Sequence, residues 1–109
     1  MNMTENLETL LAQSLAKGED SALLRYSLGN AYFKQNDHAK ACEHFARAVE
    51  LDARYSAAWK GYAQALAAAE RSEDALRAYE TGIRVAEDKG DLQAAKEMKV
   101  FLKRLQKTT

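Results

Sequence analysis

The sequence predicts an all-α fold of about six helices, and three observations lead to this prediction. The 109 residues include no proline and only five glycines, a composition that favours helices and makes strands unlikely. Apolar residues recur at intervals of three and four along the chain, as they do on one face of a helix. A pattern of small and aromatic residues that starts at Leu28 starts again at Tyr62, 34 residues later. This period predicts a repeated antiparallel pair of helices.

The first helix is predicted over about 4–17. Thr4 is the expected N-cap, and Gly18 is the expected left-handed residue that ends the helix. Its apolar residues are four leucines, Leu7, Leu10, Leu11 and Leu15. Counting back 34 residues from the helix at 38–51 places this first helix in register with the second helix of a repeat.

The first full helix pair is predicted to follow directly. Asp20 or Ser21 can cap its first helix, which ends near Gln35, and Asn36 begins the turn. The second helix spans about 38–51, and some of the residues on its inward face have small side chains. The inward residues are Ala41, Phe45, Ala48, Val49 and Leu51. Small residues on this face allow the two helices to approach closely.

The second pair and a last helix complete the predicted fold. Ser56 lies near the start of the second pair, and Ser72 is the expected N-cap of its return helix. Gly90 and Asp91 are the expected C-cap and N-cap at the next boundary, before a final helix that ends near 106. Glutamate four residues before arginine predicts ion pairs on exposed faces. These pairs are Glu43–Arg47, Glu73–Arg77 and Glu80–Arg84.

The repeated residues resemble the tetratricopeptide repeat, a helix-turn-helix module of this length. They are Leu28, Gly29, Tyr32, Ala41, Phe45 and Ala48, and then Trp59, Tyr62, Ala63, Leu66, Ala75, Tyr79 and Gly82. The closing segment also looks like that of small stand-alone bacterial proteins of this family. The resemblance implies a right-handed superhelix of stacked helix pairs in a single domain, residues 1–109. Its expected parts are a half-repeat helix over 4–18, repeats over 22–55 and 56–89, and a capping helix over 90–107.

Three positions depart from the family pattern. Ala53 and Glu87 stand where proline usually ends a repeat, and Arg25 stands where the first repeat usually has tryptophan. The boundaries between the repeats are therefore less sharply defined than the period.

The resemblance also implies a function, which is to bind a short segment of a partner protein in a concave groove lined by the first helix of each repeat. The first repeat would contribute Leu23, Tyr26, Asn30, Phe33 and Lys34, and the second Ala57, Lys60, Gln64, Ala67 and Ala68. Lys96 would extend the groove onto the last helix. Because these residues include lysines and no acid, the expected ligand is mildly biased towards acidic or C-terminal segments.

Some relatives bind the acidic C-terminal tails of heat-shock chaperones through lysine and asparagine at three groove positions. Here these positions are Tyr26, Asn30 and Gly61. Only Asn30 matches the pattern, so the sequence does not predict this particular function.

A structural role is the alternative that the sequence leaves open. The domain would then act by self-association or by packing into a larger assembly through its terminal helices, with Leu10 and Phe101 as the candidate contacts. A monomer is the favoured expectation.

Several function classes are not expected. The 16 basic and 16 acidic residues cancel, so no net field would attract nucleic acid or an anionic membrane. His38, Cys42 and His44 are too few for a zinc site, and no base and orienting group accompany the cysteine. The five glycines are too widely spaced for a phosphate-binding loop. We therefore expect a protein that is not an enzyme and has no metal or other cofactor. Because Cys42 is the single cysteine and the N-terminus has neither a basic start nor a long apolar run, we also expect a cytoplasmic protein.

Overall fold

A computed structural model describes residues 2–108, which form six α-helices and no strand. The helices are α1 (Met3–Ala16), α2 (Ala22–Lys34), α3 (His38–Leu51), α4 (Ser56–Ala68), α5 (Ser72–Lys89) and α6 (Leu92–Thr108). α2 packs on α3 and α4 packs on α5 as antiparallel pairs, and α3 also contacts α4. α1 packs on α2 at one end, and α6 packs on α5 and α4 at the other. The expected all-α fold of six helices is confirmed.

Phe45 lies at the centre of the core, and its position explains why two of the residues that face its ring are glycine. Its side chain on α3 is 1% exposed and lies between α2 and α4. A Cβ added to Gly29 would lie 2.7 Å from the Phe45 ring, and one added to Gly61 would lie 2.5 Å from it. Both distances are shorter than carbon atoms tolerate, so these two glycines allow the helices of neighbouring pairs to close on one aromatic ring.

The start of α1 differs from the sequence prediction. The N-cap is Asn2, whose side-chain oxygen accepts a hydrogen bond from the Glu5 backbone amide at 2.9 Å. Thr4 lies inside the helix, where it is buried and its hydroxyl accepts a hydrogen bond from the Gln35 side chain. The prediction was wrong because the Thr4 hydroxyl is used for packing α1 on α2. Gly18 does adopt the expected left-handed conformation, with a φ of 78°.

Of the two candidate caps of α2, the structure selects Ser21, whose hydroxyl oxygen accepts a hydrogen bond from the Leu24 amide at 3.1 Å. Asp20 instead binds two arginines: its carboxylate lies 2.8 Å from Nε of Arg25 and 2.9 Å from Nε of Arg47. The sequence did not distinguish these roles because both residues are good N-caps.

The start of α5 also differs from the sequence prediction. Ser72 is the first residue of the helix, and Arg71 occupies the N-cap position without a side-chain cap. Glu70 has a φ of 63°, and this left-handed turn lets the Arg71 amide donate to the Leu66 carbonyl at 2.9 Å. Because of this turn, the N-cap position falls on Arg71, one residue before the predicted N-cap Ser72. The C-cap Gly90, with a φ of 77°, is as expected.

The predicted i to i+4 ion pairs do not form. Arg47 binds Asp20 across helices, and Arg77 binds Asp74 three residues before it. The Arg84 guanidinium donates to the Thr81 hydroxyl at 3.4 Å. In each case a different acceptor lies within easier reach than the glutamate four residues earlier, so spacing alone gave the wrong partners.

Candidate functional site

The candidate groove is the surface on which α2, α4 and α6 lie side by side. The predicted residues of α2 do not all share one environment. Leu23 and Lys34 are exposed, whereas Tyr26, Asn30 and Phe33 are half-buried. The exposed pair is therefore open to a ligand, and the other three contribute only part of their surface.

Tyr26 and Phe33 are held against neighbouring aromatic rings. The Tyr26 ring lies 5.0 Å from that of Tyr55 and 5.9 Å from that of Phe45. The Phe33 ring lies 5.5 Å from that of His38. Such contacts fix the side chains before any ligand arrives, so the exposed edges of both rings form rigid walls.

Asn30 and Lys34 share a cleft with the first helix. The cleft has a volume of about 350 Å³ and is lined by Met3, Leu7, Ser27, Asn30, Ala31 and Lys34. Within residues 2–108 the Lys34 ammonium has no ion-pair or hydrogen-bond partner. The cleft thus combines an apolar wall from α1, an amide and an unpaired cation.

Lys60 and Gln64 line a second cleft, of about 240 Å³, between α4 and α6. The α6 side consists of Glu97, Val100, Phe101 and Arg104. Lys60 Nζ lies 2.9 Å from a carboxylate oxygen of Glu97, and this hydrogen bond lowers the pKa of Glu97. An acidic residue therefore does lie on the groove, and it partly neutralises one of the two central lysines.

Lys96 is not among the residues that line the α4–α6 cleft. It is exposed and lines another cleft on α6, of about 340 Å³, with Lys99, Val100, Leu102, Lys103 and Gln106. Val100 lines both of these clefts.

Of the predicted residues, Asn30 and Lys34 line the α1–α2 cleft, and Lys60 and Gln64 line the α4–α6 cleft. The remaining predicted residues line neither the α1–α2 cleft nor the α4–α6 cleft: Leu23, Tyr26, Phe33, Ala57, Ala67, Ala68 and Lys96.

Sequence reasoning missed the contributions of the two terminal helices. Glu97 and Arg104 were missed because α6 begins at Leu92, 36 residues after α4 begins, whereas α4 begins 34 residues after α2. Because the spacing changes from 34 to 36 residues, groove positions on α4 could not be converted into residue numbers on α6. The signal that could have found the α6 residues is its N-cap Asp91, from which positions along the helix can be counted.

Another cleft lies on the opposite, convex side. Its volume is about 420 Å³, and it lies between α3, α4 and the start of α5. Its lining includes Cys42, Glu43, Ala46, Tyr62 and Arg71. Glu43 and Arg71 place both signs of charge on its rim, and the Arg71 guanidinium already binds Asp74 at 2.8 Å. Within residues 2–108 the unpaired charge on this cleft is therefore the Glu43 carboxylate, whereas the unpaired charge on the α1–α2 cleft is the Lys34 ammonium.

The histidine and cysteine side chains serve packing. Cys42 is buried, and burial raises the pKa of its thiol. His44 is buried and stacks on Tyr32, with the ring centroids 5.5 Å apart. In residues 2–108 no group of three or more His, Cys, Asp or Glu side chains is arranged to hold a metal ion.

The comparisons with known proteins agree with this architecture. A sequence profile of the tetratricopeptide repeat matches residues 22–55. The TPR repeat-containing protein PA0015 of Pseudomonas aeruginosa is 47% identical over 103 residues, which is 94% of each chain. The chain belongs to the tetratricopeptide-repeat family.

Solved structures of other proteins show the same fold. The solution structure of protein BPP2914 from Bordetella parapertussis is 36% identical and has a TM-score of 0.82, covering 99% of this chain and 90% of that one. A TPR domain protein from Salinibacter ruber, solved by NMR, is 22% identical with a TM-score of 0.75, covering 82% of this chain and 90% of that one.

TPR proteins generally mediate protein–protein interactions, and the repeat itself is a non-enzymatic fold. Within residues 2–108 no helix combines the length and apolar character needed to span a membrane.

Proposed function

We propose that this TPR protein binds a short segment of a partner protein along the concave face of α2 and α4, with a mild preference for acidic or C-terminal segments. The observation that carries the proposal is the unpaired ammonium of Lys34 at a cleft that also presents the Asn30 amide and the apolar side chains of Met3 and Leu7. A carboxylate and an adjacent apolar side chain of a ligand suit these two kinds of surface.

The amides of Asn30 and Gln64 support an extended ligand. Each lies at a half-buried position, one in each of the two clefts. An amide side chain both donates and accepts, so it can bind the alternating N–H and C=O groups of a peptide backbone whatever its sequence. The two side chains would thus give affinity that is independent of the ligand side chains.

The preference for negative charge is mild because the concave face carries both positive and negative side chains. Lys60 is bound by Glu97, so a ligand carboxylate must compete with a carboxylate of the protein itself. Arg104, on the same cleft, lies 5.7 Å from the centre of the Phe101 ring. Two clefts on one short face bury a small area, so we expect dissociation constants in the micromolar range or weaker.

The experiment is selection from a random peptide library, displayed once with free C-termini and once with amidated C-termini. Peptides enriched by the wild type are then titrated against Lys34→Glu and against Lys107→Glu, which alters an exposed lysine at the end of α6. We expect enrichment of acidic or free-carboxylate peptides and a loss of about tenfold or more in affinity for Lys34→Glu alone. Equal losses in both variants, or no enrichment, would contradict the proposal.

A further inference from the structure

Positive charge is concentrated on α6. Its 17 residues include five basic residues and one acidic residue, although the whole chain has 16 of each kind. The acidic residue, Glu97, is already bound by Lys60 of α4. The basic residues are Lys96, Lys99, Lys103, Arg104 and Lys107. The net charge of zero therefore does not describe the surface of α6, which is locally basic.

Three of these lysines line the α6 cleft of about 340 Å³, and all of the residues that line it belong to α6. No acidic residue is among them. Lys99 Nζ lies 2.8 Å from a carboxylate oxygen of Glu87 on α5. Within residues 2–108 the ammonium groups of Lys96 and Lys103 have no ion-pair or hydrogen-bond partner. This lysine-lined cleft therefore presents two unpaired cations.

The spacing of the lining residues is that of a surface on which another helix packs. Where two helices pack side by side, a side chain of one helix enters a space between four residues of the other, at positions i, i+3, i+4 and i+7. Lys96, Lys99, Val100 and Lys103 have this spacing. A second set with the same spacing begins at Lys99 and ends at Gln106. The lysine-lined cleft therefore offers two adjacent spaces to the side chains of one further helix.

Both spaces suit apolar side chains. Val100 is 46% exposed and Leu102 is half-buried, so each contributes open apolar surface to the cleft. The aliphatic stems of lysines can cover further apolar surface while their ammonium groups stay in water. The opposite side of α6 is used by the fold, since Ala95 and Met98 are buried there. An apolar side chain that enters the cleft would thus be surrounded by ammonium groups.

Charge determines which kind of partner fits this surface. Acidic residues beside the entering side chains would meet Lys96 and Lys103, whereas a basic helix would be repelled. A nucleic-acid backbone supplies phosphates but no apolar side chain to fill the two spaces. A helix that binds an anionic membrane needs a broad apolar face. In residues 2–108 the exposed large apolar side chains of α6 are Leu92 and Val100 alone, so the surface favours an acidic amphipathic helix.

We propose that the lysine-lined cleft of α6 docks an acidic amphipathic helix of a partner protein. The lining residues extend over 96–106, about 15 Å along the helix axis, so a partner helix of about three turns covers them. That helix would carry apolar side chains three or four residues apart, flanked by Asp or Glu. Exposed ion pairs are weak and are screened by salt, so the affinity should fall as the salt concentration rises. This site is distinct from the concave face of α2 and α4, and the inference goes beyond the proposed function.

A synthetic helix of about four turns, held helical by a lactam bridge, is the probe. It carries leucines three and four residues apart on one face and glutamates beside them. The first control peptide has the same composition, but its leucines are distributed around the helix. The second has alanine in place of each leucine. Fluorescence anisotropy measures the binding of each labelled peptide to the intact chain, and the probe should bind at least about tenfold more tightly than either control.

Two double variants locate the binding site. Lys96→Glu with Lys103→Glu should weaken probe binding by about tenfold or more. Lys17→Glu with Lys34→Glu changes the net charge equally and alters the concave face, and it should leave probe binding unchanged. Circular dichroism should be unaltered in both, because all four lysines are exposed. The library-selected peptides should respond in the opposite way, so this inference and the proposed function fail separately.

Three results would overturn the inference. Equal binding of the probe and a control peptide would show that charge alone attracts the probe. Equal loss in the two double variants would show an effect of net charge or binding at the concave face. Tighter binding of phosphatidylserine vesicles or of a short DNA duplex than of the probe would assign the lysines of α6 to a polyanion and not to a helix.

Discussion

Lys60 on α4 and Glu97 on α6 form an ion pair across the concave face, with 2.9 Å between Nζ and the carboxylate oxygen. Their side chains are 30% and 41% exposed, so water screens the pair and its contribution to stability is small. Under the proposed function its larger effect is on peptide binding. It ties the last helix to the groove and places a negative charge where a ligand carboxylate would otherwise meet an open lysine.

Glu97→Gln is therefore expected to strengthen the binding of acidic peptides. The amide removes the competing charge and leaves Lys60 free, so affinity should rise by about twofold to tenfold, the range of one partly screened ion pair. Isothermal titration calorimetry with a library-selected acidic peptide measures it. Glu80→Gln, at an exposed position of α5, is the control. An equal gain in the control would show a general charge effect and not release of Lys60.

Asp20→Asn should destabilise the protein at neutral pH. Arg25 donates the largest stabilising hydrogen bond to this carboxylate and Arg47 adds a second, which together lower the Asp20 pKa to about 2. A shift of this size from the usual aspartate pKa of 3.8 corresponds to about 2 kcal/mol. Because the folded pKa is the lower one, the stabilisation is complete above pH 3.8 and is lost as pH falls towards 2.

Urea unfolding of wild type and Asp20→Asn at pH 7 and at pH 2.5 checks this expectation. The difference in unfolding free energy should be largest at pH 7 and should shrink at the lower pH. Asp88→Asn, at an exposed position, controls for the loss of a carboxylate. A difference that is independent of pH would contradict the role of the two arginines.

His44 should titrate below the usual histidine range. Burial is the main cause of its lowered pKa, and the nearby Arg25 cation adds to the shift while Glu8 and Glu43 oppose it. Arg25 Nη1 lies 3.2 Å from His44 Nδ1. Because arginine only donates, Nδ1 must accept and the proton of the neutral ring is on Nε2. Nε2 lies 3.5 Å from the Glu8 carboxylate.

NMR titration of the imidazole signals, assigned with His38→Gln, should give a His44 midpoint below the usual histidine pKa of 6.5. The nitrogen shifts should show the Nε2–H form at neutral pH. Since the folded state holds this proton less tightly than the unfolded state, protein stability should fall as pH decreases below about 6.5. A midpoint above that value would contradict the predicted dominance of burial.

Gly61→Ala should destabilise the protein although alanine is the better helix former. The added methyl would lie 2.5 Å from the buried Phe45 ring, and such overpacking costs about 1–3 kcal/mol. The expected gain in helix propensity is smaller, about 1 kcal/mol. Thermal unfolding measures the balance. Adding Phe45→Leu should recover part of the loss in a double-mutant cycle, and strictly additive losses would contradict direct contact.

The period and apolar spacing of the sequence predicted the fold because they report helix pairing directly. Side-chain partners were harder to predict. Asp20 binds Arg47, 27 residues away in sequence, and Thr4 binds Gln35, 31 residues away. Such contacts depend on how helices cross, which local spacing does not determine.

The candidate site likewise has a part that the sequence predicted and a part that it did not predict. Positions on α2 and α4 could be transferred from one repeat to the next, and the structure brings Asn30 and Lys34 into one cleft and Lys60 and Gln64 into another. The last helix departs from the 34-residue period, since α6 begins 36 residues after α4. The sequence therefore missed Glu97 in the α4–α6 cleft. It named Lys96, which lines a neighbouring cleft on α6.

The most direct test of the central claim is amide chemical-shift mapping of the labelled protein with a peptide selected from the library. The proposal predicts saturable shifts at Asn30, Lys34 and Gln64 on the concave face, and their loss in Lys34→Glu. Shifts concentrated instead around Cys42 and Arg71, which line the convex cleft, would contradict the account and move the binding site to the other side of the molecule.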